Sequence, residues 1–280
     1  MNVRELRRRV ESLASGSAPS PKAARDVLES LLTALESGEV RAAEPATGGG
    51  WQAQRWVKEG ILLGFRIGEN RTSSVPPAFY FRDRDTFPTL DPARSQRDVR
   101  IVPGGSSVRR GAYLGDGVVM MPPSYVNVGA YVGAGSMVDS HALVGSCAQI
   151  GRRVHLSAAA QIGGVLEPVG ALPVIIEDDV FVGGGSGVYE GTRVGAGAVL
   201  APGVILSGAL SLIDLVRQTV HRASGEQPLM VPERAVVVPG SRPASGSFAI
   251  EHGIQLQAPV IVKYRDAGTD AALVLEEALR

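Results

Sequence analysis

MVDSHALVGSCAQIGRRVHLSAAAQIGG, residues 137–164, carries an aliphatic residue at every sixth position. The same period runs back without a miss to residue 102 and, after one insertion, onward to residue 206. The aliphatic positions are Val102, Val108, Leu114, Met120, Val126, Val132, Val138, Val144, Ile150, Leu156 and Ile162, then Ile176, Val182, Val188, Val194, Leu200 and Leu206. A short fixed period indicates a solenoid, because a helix face repeats about every 3.6 residues and a strand face every two.

A small residue stands four positions after most of the aliphatic ones, as at Ala130, Ser136 and Ala148. Six residues per side and three sides per turn predict a mainly β fold, a triangular left-handed parallel β-helix. The aliphatic side chain points into this prism and the small residue lies at a corner. Glycines follow several aliphatic residues, as at Gly133 and Gly145. We expect them to supply the unusual backbone angles of tight corners.

The composition is that of a charge-balanced chain with one cysteine. Its 280 residues include 28 Lys and Arg and 28 Asp and Glu, which gives no reason to expect nucleic acid or an anionic membrane as partner. Cys147 excludes an intramolecular disulfide and suits a reducing compartment. No apolar stretch of signal-peptide or membrane-span length follows the basic residues 1–9. We therefore expect a cytoplasmic protein.

The chain ahead of the repeat differs in pattern. Residues 1–98 are predicted to form a helical domain and a linker, with an amphipathic helix at 51–65 and an irregular segment at 68–98. Ser20 followed by Pro21 is typical of a helix start, and Gly38 of a helix end.

The repeat itself places the β-helix at residues 99–208. An insertion near 166–175 interrupts it, and because long loops often carry function it is a site candidate. Residues 209–280 are predicted to form a small α+β cap over the open end of the prism. Within it we expect a short helix or a strand pair at 210–221, strands at 235–239 and 259–264, and a terminal helix at 269–280.

Several motifs lie outside the positions that the repeat dictates. They are MMPPSYVNVGAY at 120–131, MVD at 137–139, VGSCAQIG at 144–151, VHLS at 154–157, IGGVLEP at 162–168 and IIEDD at 175–179. With these motifs the chain closely resembles the tetrahydrodipicolinate N-succinyltransferase family of hexapeptide-repeat acyltransferases. The resemblance extends to residues 51–65 and 260–263, and therefore covers most of the chain.

This resemblance implies an enzyme of lysine and diaminopimelate biosynthesis. It implies transfer of a succinyl group from succinyl-CoA to the amino group of ring-opened tetrahydrodipicolinate, giving N-succinyl-2-amino-6-oxopimelate and CoA. It also implies a homotrimer with a CoA groove between neighbouring prisms. The expected partners are a dicarboxylate and an acyl-CoA, with no metal.

Asp139 is the first candidate catalytic residue. Attack of an amine on a thioester needs the neutral amine, and a positioned carboxylate can accept its proton. Asp139 directly follows an inward aliphatic residue, where the repeat often has Gly or Ala. The resemblance implies that this aspartate contacts the substrate amine. The alternative is a turn aspartate that bonds its own backbone.

The chain departs from the family pattern at the position of the second catalytic carboxylate. The family sequence Ala-Arg-Ser-Glu corresponds to residues 184–187, which here read Gly-Gly-Ser-Gly. The family's catalytic glutamate therefore aligns with Gly187. Glu190 is the nearest carboxylate and the candidate replacement. The alternatives are that Asp139 acts with a main-chain donor, or that the chain belongs to a divergent branch.

Binding residues are predicted at both ends of the prism. By resemblance Arg100 binds a substrate carboxylate, which suits the bidentate fork of arginine, with Arg109 and Arg110 as competitors. The CoA contacts are expected from the last coils and the C-terminal segment, with Gly184, Ser186, Ala201 and Lys263 as candidates.

The sequence leaves other functions open. An acetyl-CoA-dependent N-acetyltransferase of the same pathway or of an amino sugar would share much of the pattern. Many acetyltransferases of this fold use a histidine as the base, and His141 or His155 would have that role here. A zinc enzyme needs three convergent histidines, and the prism offers only these two. A non-catalytic scaffold would not explain the motifs outside the repeat.

Overall fold

Three parallel sheets form the sides of a triangular prism in the computed structural model, which describes residues 1–16, 20–75, 79–92, 97–225, 227–266 and 268. The first sheet contains Tyr113–Leu114, Tyr131–Val132, Gln149–Ile150, Ile175–Ile176, Arg193–Val194 and Met230–Val231. The second contains Val99–Ile101, Val118–Met120, Met137–Val138, His155–Leu156, Phe181–Val182, Val199–Leu200 and Ala235–Val238. The third contains Ser107–Val108, Tyr125–Val126, Leu143–Val144, Gln161–Ile162, Gly187–Val188 and Ile205–Leu206. The chain visits them in this order once per coil, and the fold is the predicted left-handed β-helix.

The hexad residues fill the interior of this prism. Register pairs such as Val132 with Ile150 and Val144 with Ile162 stack equivalent aliphatic residues of successive coils, and all four side chains are fully buried. The small residues Ala130, Ser136 and Ala148 are buried at the corners. The predicted inward positions are therefore confirmed from Val108 onward. The first one was wrong: Val102 is only half-buried, and Ile101 takes the register position of the inward Met120, because the strand Val99–Ile101 pairs one residue out of step with the hexad.

The glycines after the aliphatic residues have a different role from the one we expected. Gly133 and Gly145 do not have positive φ, whereas the residues two positions later do. Gly135 and Cys147, for example, have φ of 70° and 67°. A Cβ atom on Gly133 would lie 2.4–2.8 Å from the backbone of the next coil. These glycines are therefore required because the coils approach one another closely.

Three helices precede the prism: α1 Val3–Ala14, α2 Pro21–Ser37 and α3 Arg55–Ile67. Ser20 caps α2 through its side chain, and Gly38 ends it with φ of 79°, as predicted. The prediction of a helix from residue 51 was wrong. Trp51–Ala53 is a strand that pairs with Ala43–Pro45, because the extended segment can hydrogen-bond to a neighbouring strand ahead of α3.

Residues 68–98 also differ from the irregular segment that we predicted. Asn70–Val75 and Phe79–Arg84 form an antiparallel hairpin. Tyr80 and Phe81 of this hairpin are exposed, Tyr80 at 74%. No alternation of apolar and polar residues marks these strands, which is why the sequence pattern did not indicate them.

Stacked rings and guanidinium groups attach this N-terminal part to the first sheet. The Tyr113 and Tyr131 rings stack in parallel with centroids 4.3 Å apart, because the register places them on successive coils. The Arg41 guanidinium lies 3.7 Å from the Tyr131 ring centroid, and Arg97 lies 4.4 Å from that of Tyr113. Such cation–π contacts gain strength when the cation is desolvated. The first sheet is therefore covered by the chain's own N-terminal part.

The parallel ladder continues past residue 208, where the sequence placed its end. Met230–Val231 extends the first sheet and Ala235–Val238 the second. The segment 210–221 is a strand pair, Leu212–Asp214 with Thr219–His221, and Val260–Tyr264 joins the same sheet. The short strands Ser241–Pro243 and Gln255–Gln257 flank α4, Ser247–Glu251. The predicted terminal helix at 269–280 lies outside the described residues.

A buried carboxylate stabilises this C-terminal part. Asp214 is 1% exposed and accepts hydrogen bonds from the Tyr264 hydroxyl at 2.7 Å and from two backbone N–H groups. Burial by itself would raise the pKa of Asp214, but these hydrogen bonds lower it overall. Burial and the same contact raise the pKa of Tyr264 to about 12. In the part of the chain that the structure describes, no helix has the length and apolarity to cross a membrane.

Candidate active site

Asp139 lies at the corner where the chain passes from the second to the third sheet. Its side chain is half-buried, and its Oδ1 accepts a hydrogen bond from the backbone N–H of Ser140 at 2.6 Å. Its own backbone N–H donates to Leu156 and its carbonyl accepts from Ala142, so the main chain is held on both sides. Asp139 therefore has the turn-aspartate hydrogen bond and, through its second oxygen, a carboxylate available to a ligand.

Three of the predicted CoA residues lie at the same edge of the prism as Asp139, at the equivalent corner of later coils. Gly184 is half-buried, and its N–H has no hydrogen-bond partner among the described residues. Ser186 is fully buried and its hydroxyl donates to the carbonyl of Ala201 at 3.0 Å. The Ser186 side chain is thus engaged within the prism. Any ligand along this corner would meet main-chain groups and the exposed part of Gly184.

Arg100 and Lys263 lie on the outer face of the second sheet, in one continuous register. Arg100 pairs with Val119, and the series continues through Met137, His155, Phe181, Val199 and Val236 to Lys263. Seven steps of about 4.8 Å place the two cations about 34 Å apart. Both are exposed, and Lys263 pairs with Asp266 at 3.3 Å. They therefore lie at opposite ends of the face that leads to the corner of Asp139.

Glu190 lies at a different corner, between the third and the first sheets. It is exposed and has φ of 54°, and the next residue, Gly191, has φ of 68°. Asp139 and Glu190 are also two coils apart, since Val144 and Val188 are separated by Ile162 in the register. The fold of a single chain does not bring the two predicted catalytic carboxylates together.

A cavity of about 1050 Å³ opens beside Glu190. It is lined by Trp51–Ala53, by the insertion between Ile162 and Ile175, and by Tyr189 and Glu190. Glu167 contributes a second carboxylate, and no Lys, Arg or His is among the described residues that line the cavity. Because a dicarboxylate needs cationic groups, this cavity by itself does not suit the substrate that the resemblance implies.

A buried lysine holds the insertion in place. Lys58 of α3 is fully buried, and its ammonium group donates to the carbonyl of Ala171 at 2.6 Å. Burial lowers the pKa of Lys58, although the nearby Cys147 thiol acts in the opposite direction. Burial raises the pKa of Cys147 to about 12, so this thiol is protonated and inert at neutral pH. Sequence patterns did not single out Lys58, because its position on a helix face reveals no partner.

We predict that Lys58 makes the unfolding free energy depend on alkaline pH. Its folded-state pKa lies below the ordinary value of 10.5, so the unfolded chain binds more protons between the two values. The unfolding free energy therefore rises as the pH passes through the lowered pKa towards 10.5. Lys58→Met should remove this rise. Urea unfolding of both proteins at successive pH values measures it.

The control for this prediction is Lys22→Met, since Lys22 is exposed on α2. Its unfolding free energy should follow that of the unchanged protein at every pH. Curves for Lys58→Met and the unchanged protein that stay parallel up to pH 10.5 would contradict the prediction.

Tyr189 is a residue of this region that the sequence analysis missed. Its ring lies over Gly187, such that a Cβ atom on Gly187 would be 2.5 Å from ring atom Cε2 and 2.7 Å from the hydroxyl oxygen. A Cβ on Gly163 would lie 2.9 Å from ring atom Cδ1. The ring therefore occupies a notch formed by two glycines. The pair Gly187 and Tyr189 in sequence was the available signal.

The two histidines of the prism do not converge. His155 stacks on Phe181 with ring centroids 4.9 Å apart, on the outer face of the second sheet. His141 is exposed, with φ of 62° at the corner of Asp139. Among the described residues, no group of three His, Cys, Asp or Glu is arranged to hold a metal ion.

The Ile-Glu-Asp-Asp motif at 176–179 holds a corner of the prism together. Glu177 accepts hydrogen bonds from the Trp51 indole N–H at 3.1 Å, from the Arg193 side chain at 2.7 Å and from the backbone N–H of Ala196 at 3.0 Å. Asp178 accepts from the backbone of Arg152 at 2.8 Å. The motif positions Trp51 at the cavity and does not itself line it.

Comparison with known proteins finds two family models that match parts of the chain. Residues 7–67 match the family described as tetrahydrodipicolinate N-succinyltransferase N-terminal, and residues 173–207 match the hexapeptide repeat of succinyl-transferase. A solved structure of a putative 2,3,4,5-tetrahydropyridine-2-carboxylate N-succinyltransferase from Campylobacter jejuni is 16% identical, with a TM-score of 0.44, and the match covers 83% of this chain and 62% of that one.

Sequence relatives are much closer. The 2,3,4,5-tetrahydropyridine-2,6-dicarboxylate N-succinyltransferase of Aromatoleum aromaticum is 46% identical over 93% of this chain and 91% of its own length. The protein of that name from Methylobacterium sp. (strain 4-46) is 42% identical, over 96% and 95%. That from Wolbachia pipientis wMel is 43% identical, over 92% and 90%. The chain therefore belongs to the 2,3,4,5-tetrahydropyridine-2,6-dicarboxylate N-succinyltransferase family.

Proposed function

We propose that this protein transfers a succinyl group from succinyl-CoA to the amino group of ring-opened tetrahydrodipicolinate. The products are N-succinyl-2-amino-6-oxopimelate and CoA, in lysine and diaminopimelate biosynthesis. The observation that carries the proposal is family membership at 42–46% identity over nearly the whole chain. The half-buried carboxylate of Asp139, fixed by a backbone hydrogen bond, supports it.

In the proposed reaction the substrate amine attacks the thioester carbonyl. The new C–N bond forms, the C–S bond breaks, and CoA leaves as a thiolate that takes up a proton. The amine proton passes to Asp139, whose free carboxylate oxygen is the acceptor. General base catalysis of this kind contributes about 10²–10⁴-fold.

The binding residues fit a ligand that lies along the corner of Asp139. Arg100 clamps a carboxylate of the acceptor at one end of the second sheet, and Lys263 interacts with the phosphates of CoA at the other. Gly184 and the main chain near Ser186 and Ala201 bind the pantetheine arm. The exposed guanidinium of Arg100 supports the first role, and the N–H of Gly184, which has no partner among the described residues, supports the last.

We also propose that the active enzyme is a homotrimer in which neighbouring prisms share each site. The outer faces of the second and third sheets carry half-buried apolar residues, among them Val119, Val199, Leu143 and Ile205, whereas the first sheet is covered within the chain. The separation of Asp139 from Glu190 also supports a site between copies, because only a second chain can bring their two corners together. The buried thiol of Cys147 is compatible with the cytoplasmic location that we propose.

The test is an assay of CoA thiol release with tetrahydrodipicolinate and either succinyl-CoA or acetyl-CoA. We expect rapid release with succinyl-CoA and little with acetyl-CoA. Release with acetyl-CoA alone would show that the donor is wrong, and release with neither would refute the substrate assignment.

Glu190→Gln examines the second carboxylate in the same assay. If Glu190 accepts or donates a proton, kcat should fall about 10²-fold or more, because the amide is isosteric but cannot transfer the proton. The matched control is Glu167→Gln, which changes the other carboxylate of the cavity. An unchanged kcat for Glu190→Gln would leave Asp139 as the only side-chain base among our candidates.

A further inference from the structure

We propose that the Tyr189 hydroxyl is a catalytic hydrogen-bond donor to the thioester oxygen of the acyl donor. This inference rests on the proposed function and assigns one further residue to its site. It starts from the placement of the Tyr189 ring, which follows the third sheet yet folds back over Gly187 within that sheet.

The notch fixes the ring on both sides. Gly187 lies under atoms Cε2, Cζ and the hydroxyl oxygen, and Gly163 of the preceding coil lies beside Cδ1. Any side chain at either glycine would come within 3 Å of the ring and displace it. The position of the hydroxyl is therefore determined by backbone packing, which is the preorganisation that a catalytic donor needs.

The Tyr189 hydroxyl makes no hydrogen bond to the described part of the protein. Among the described residues nothing donates to it or accepts from it, whereas Tyr125 on the same sheet bonds to Asn127 at 3.2 Å. A phenol O–H is both donor and acceptor, and when partly buried it usually has a partner. Tyr189 is half-buried and lines the cavity. The hydroxyl is therefore available to a ligand in this cavity.

The location of the hydroxyl points to the acyl donor. Gly187 directly follows the corner residues Gly184 and Ser186, to which we assign the pantetheine arm. The Tyr189 main chain lies beyond the third sheet, but its side chain folds back over that sheet. Its hydroxyl oxygen lies 2.7 Å from where a Cβ atom on Gly187 would be. The reacting thioester lies at the end of the pantetheine arm, so a donor beside this corner can meet its carbonyl oxygen.

The proposed step balances in atoms and charge. As the amine nitrogen attacks, the carbonyl oxygen gains negative charge, and the Tyr189 O–H hydrogen bond to it shortens without transferring the proton. The oxygen lone pair then re-forms the C=O bond as the C–S bond breaks, CoA leaves as a thiolate that takes up a proton, and the amine proton is taken by Asp139 as proposed above. Tyr189 begins and ends the cycle protonated.

Tyr189→Phe is the test, because it removes only the oxygen and leaves the ring in its notch. We expect kcat with succinyl-CoA to fall about 10²-fold, as for loss of one oxyanion donor, with little change in either KM. The melting temperature should not change, because no internal hydrogen bond is lost. Gly187→Ala should lower kcat similarly by displacing the intact Tyr189 ring.

The matched controls are Tyr125→Phe, on the same sheet, and Gly48→Ala, whose added Cβ meets nothing within 4 Å. Both should keep the kcat of the unchanged protein. A stable Tyr189→Phe variant with at least half the normal kcat would overturn the inference, as would a change confined to the KM of succinyl-CoA. Absence of turnover by the unchanged protein would instead refute the proposed function, and the two failures are therefore distinguishable.

Discussion

Asp139→Asn is expected to reduce kcat for succinyl transfer by about 10²–10⁴-fold while leaving the fold intact. The asparagine Oδ1 can still accept the hydrogen bond from the Ser140 N–H, which is 2.6 Å long in the native protein. The turn is therefore preserved. What the substitution removes is the negative charge and the oxygen that we propose accepts the amine proton.

Steady-state thiol release at saturating succinyl-CoA measures this loss, and circular dichroism confirms the fold. Asp116→Asn is the matched control, since Asp116 is also a corner aspartate whose Oδ1 accepts a backbone N–H, that of Asp98 at 3.1 Å. It should retain full activity. If Asp139→Asn kept more than half of the native kcat, the carboxylate would have only its role in the turn.

Gly133→Ala should be the most destabilising small substitution in the prism that we consider. Its Cβ would lie 2.4 Å from the carbonyl oxygen of Gly151 and 2.8 Å from the amide nitrogen of Arg152. These are backbone atoms of the next coil, held by the Gly133 N–H bond to Ile150 and the coil-to-coil ladder, so they cannot move independently. Overpacking of this kind costs about 3 kcal/mol.

For a chain of this size that cost corresponds to a melting temperature lowered by about 6–12 °C. Thermal unfolding followed by circular dichroism measures it. Gly48→Ala serves as control, because Gly48 does not have positive φ and no atom lies within 4 Å of the added Cβ. It should melt within 2 °C or so of the native protein, since a surface substitution usually changes stability by less than about 0.5 kcal/mol. Equal melting temperatures for the two variants would disprove the close-approach explanation.

The prediction of the fold from sequence succeeded where one local rule repeats. Each inward aliphatic residue, from Val108 to Leu206, occupies the same position in its coil, so one period determines all of them. The prediction was wrong where a segment forms through a partner elsewhere in the chain. Trp51–Ala53 became a strand by pairing with Ala43–Pro45, and residues 70–84 formed a hairpin without an alternating pattern.

The candidate site divides in the same way. The sequence singled out Asp139, Gly184, Ser186 and Ala201, and the structure places them at one edge of the prism because their spacing obeys the repeat. Arg100 and Lys263 lie on the adjoining second sheet through strand pairing with Val119 and Val236, which the repeat does not specify. Glu190 was chosen for its proximity in sequence to Gly187. The strand Gly187–Val188 crosses the third sheet, and Glu190 therefore lies at the next corner of the prism, away from Asp139.

The sequence by itself determined the β-helix, its inward residues and the family, because a period of six and motifs outside it are properties of local order. Only the tertiary structure decided which side chains meet: Lys58 with the insertion, Trp51 with Glu177, and Tyr189 with its two glycines. Apart from that of Tyr189 with Gly187, each of these contacts joins different coils or joins the N-terminal part to the prism. Which residues meet is determined by how the coils stack, and the period along the chain does not specify these contacts.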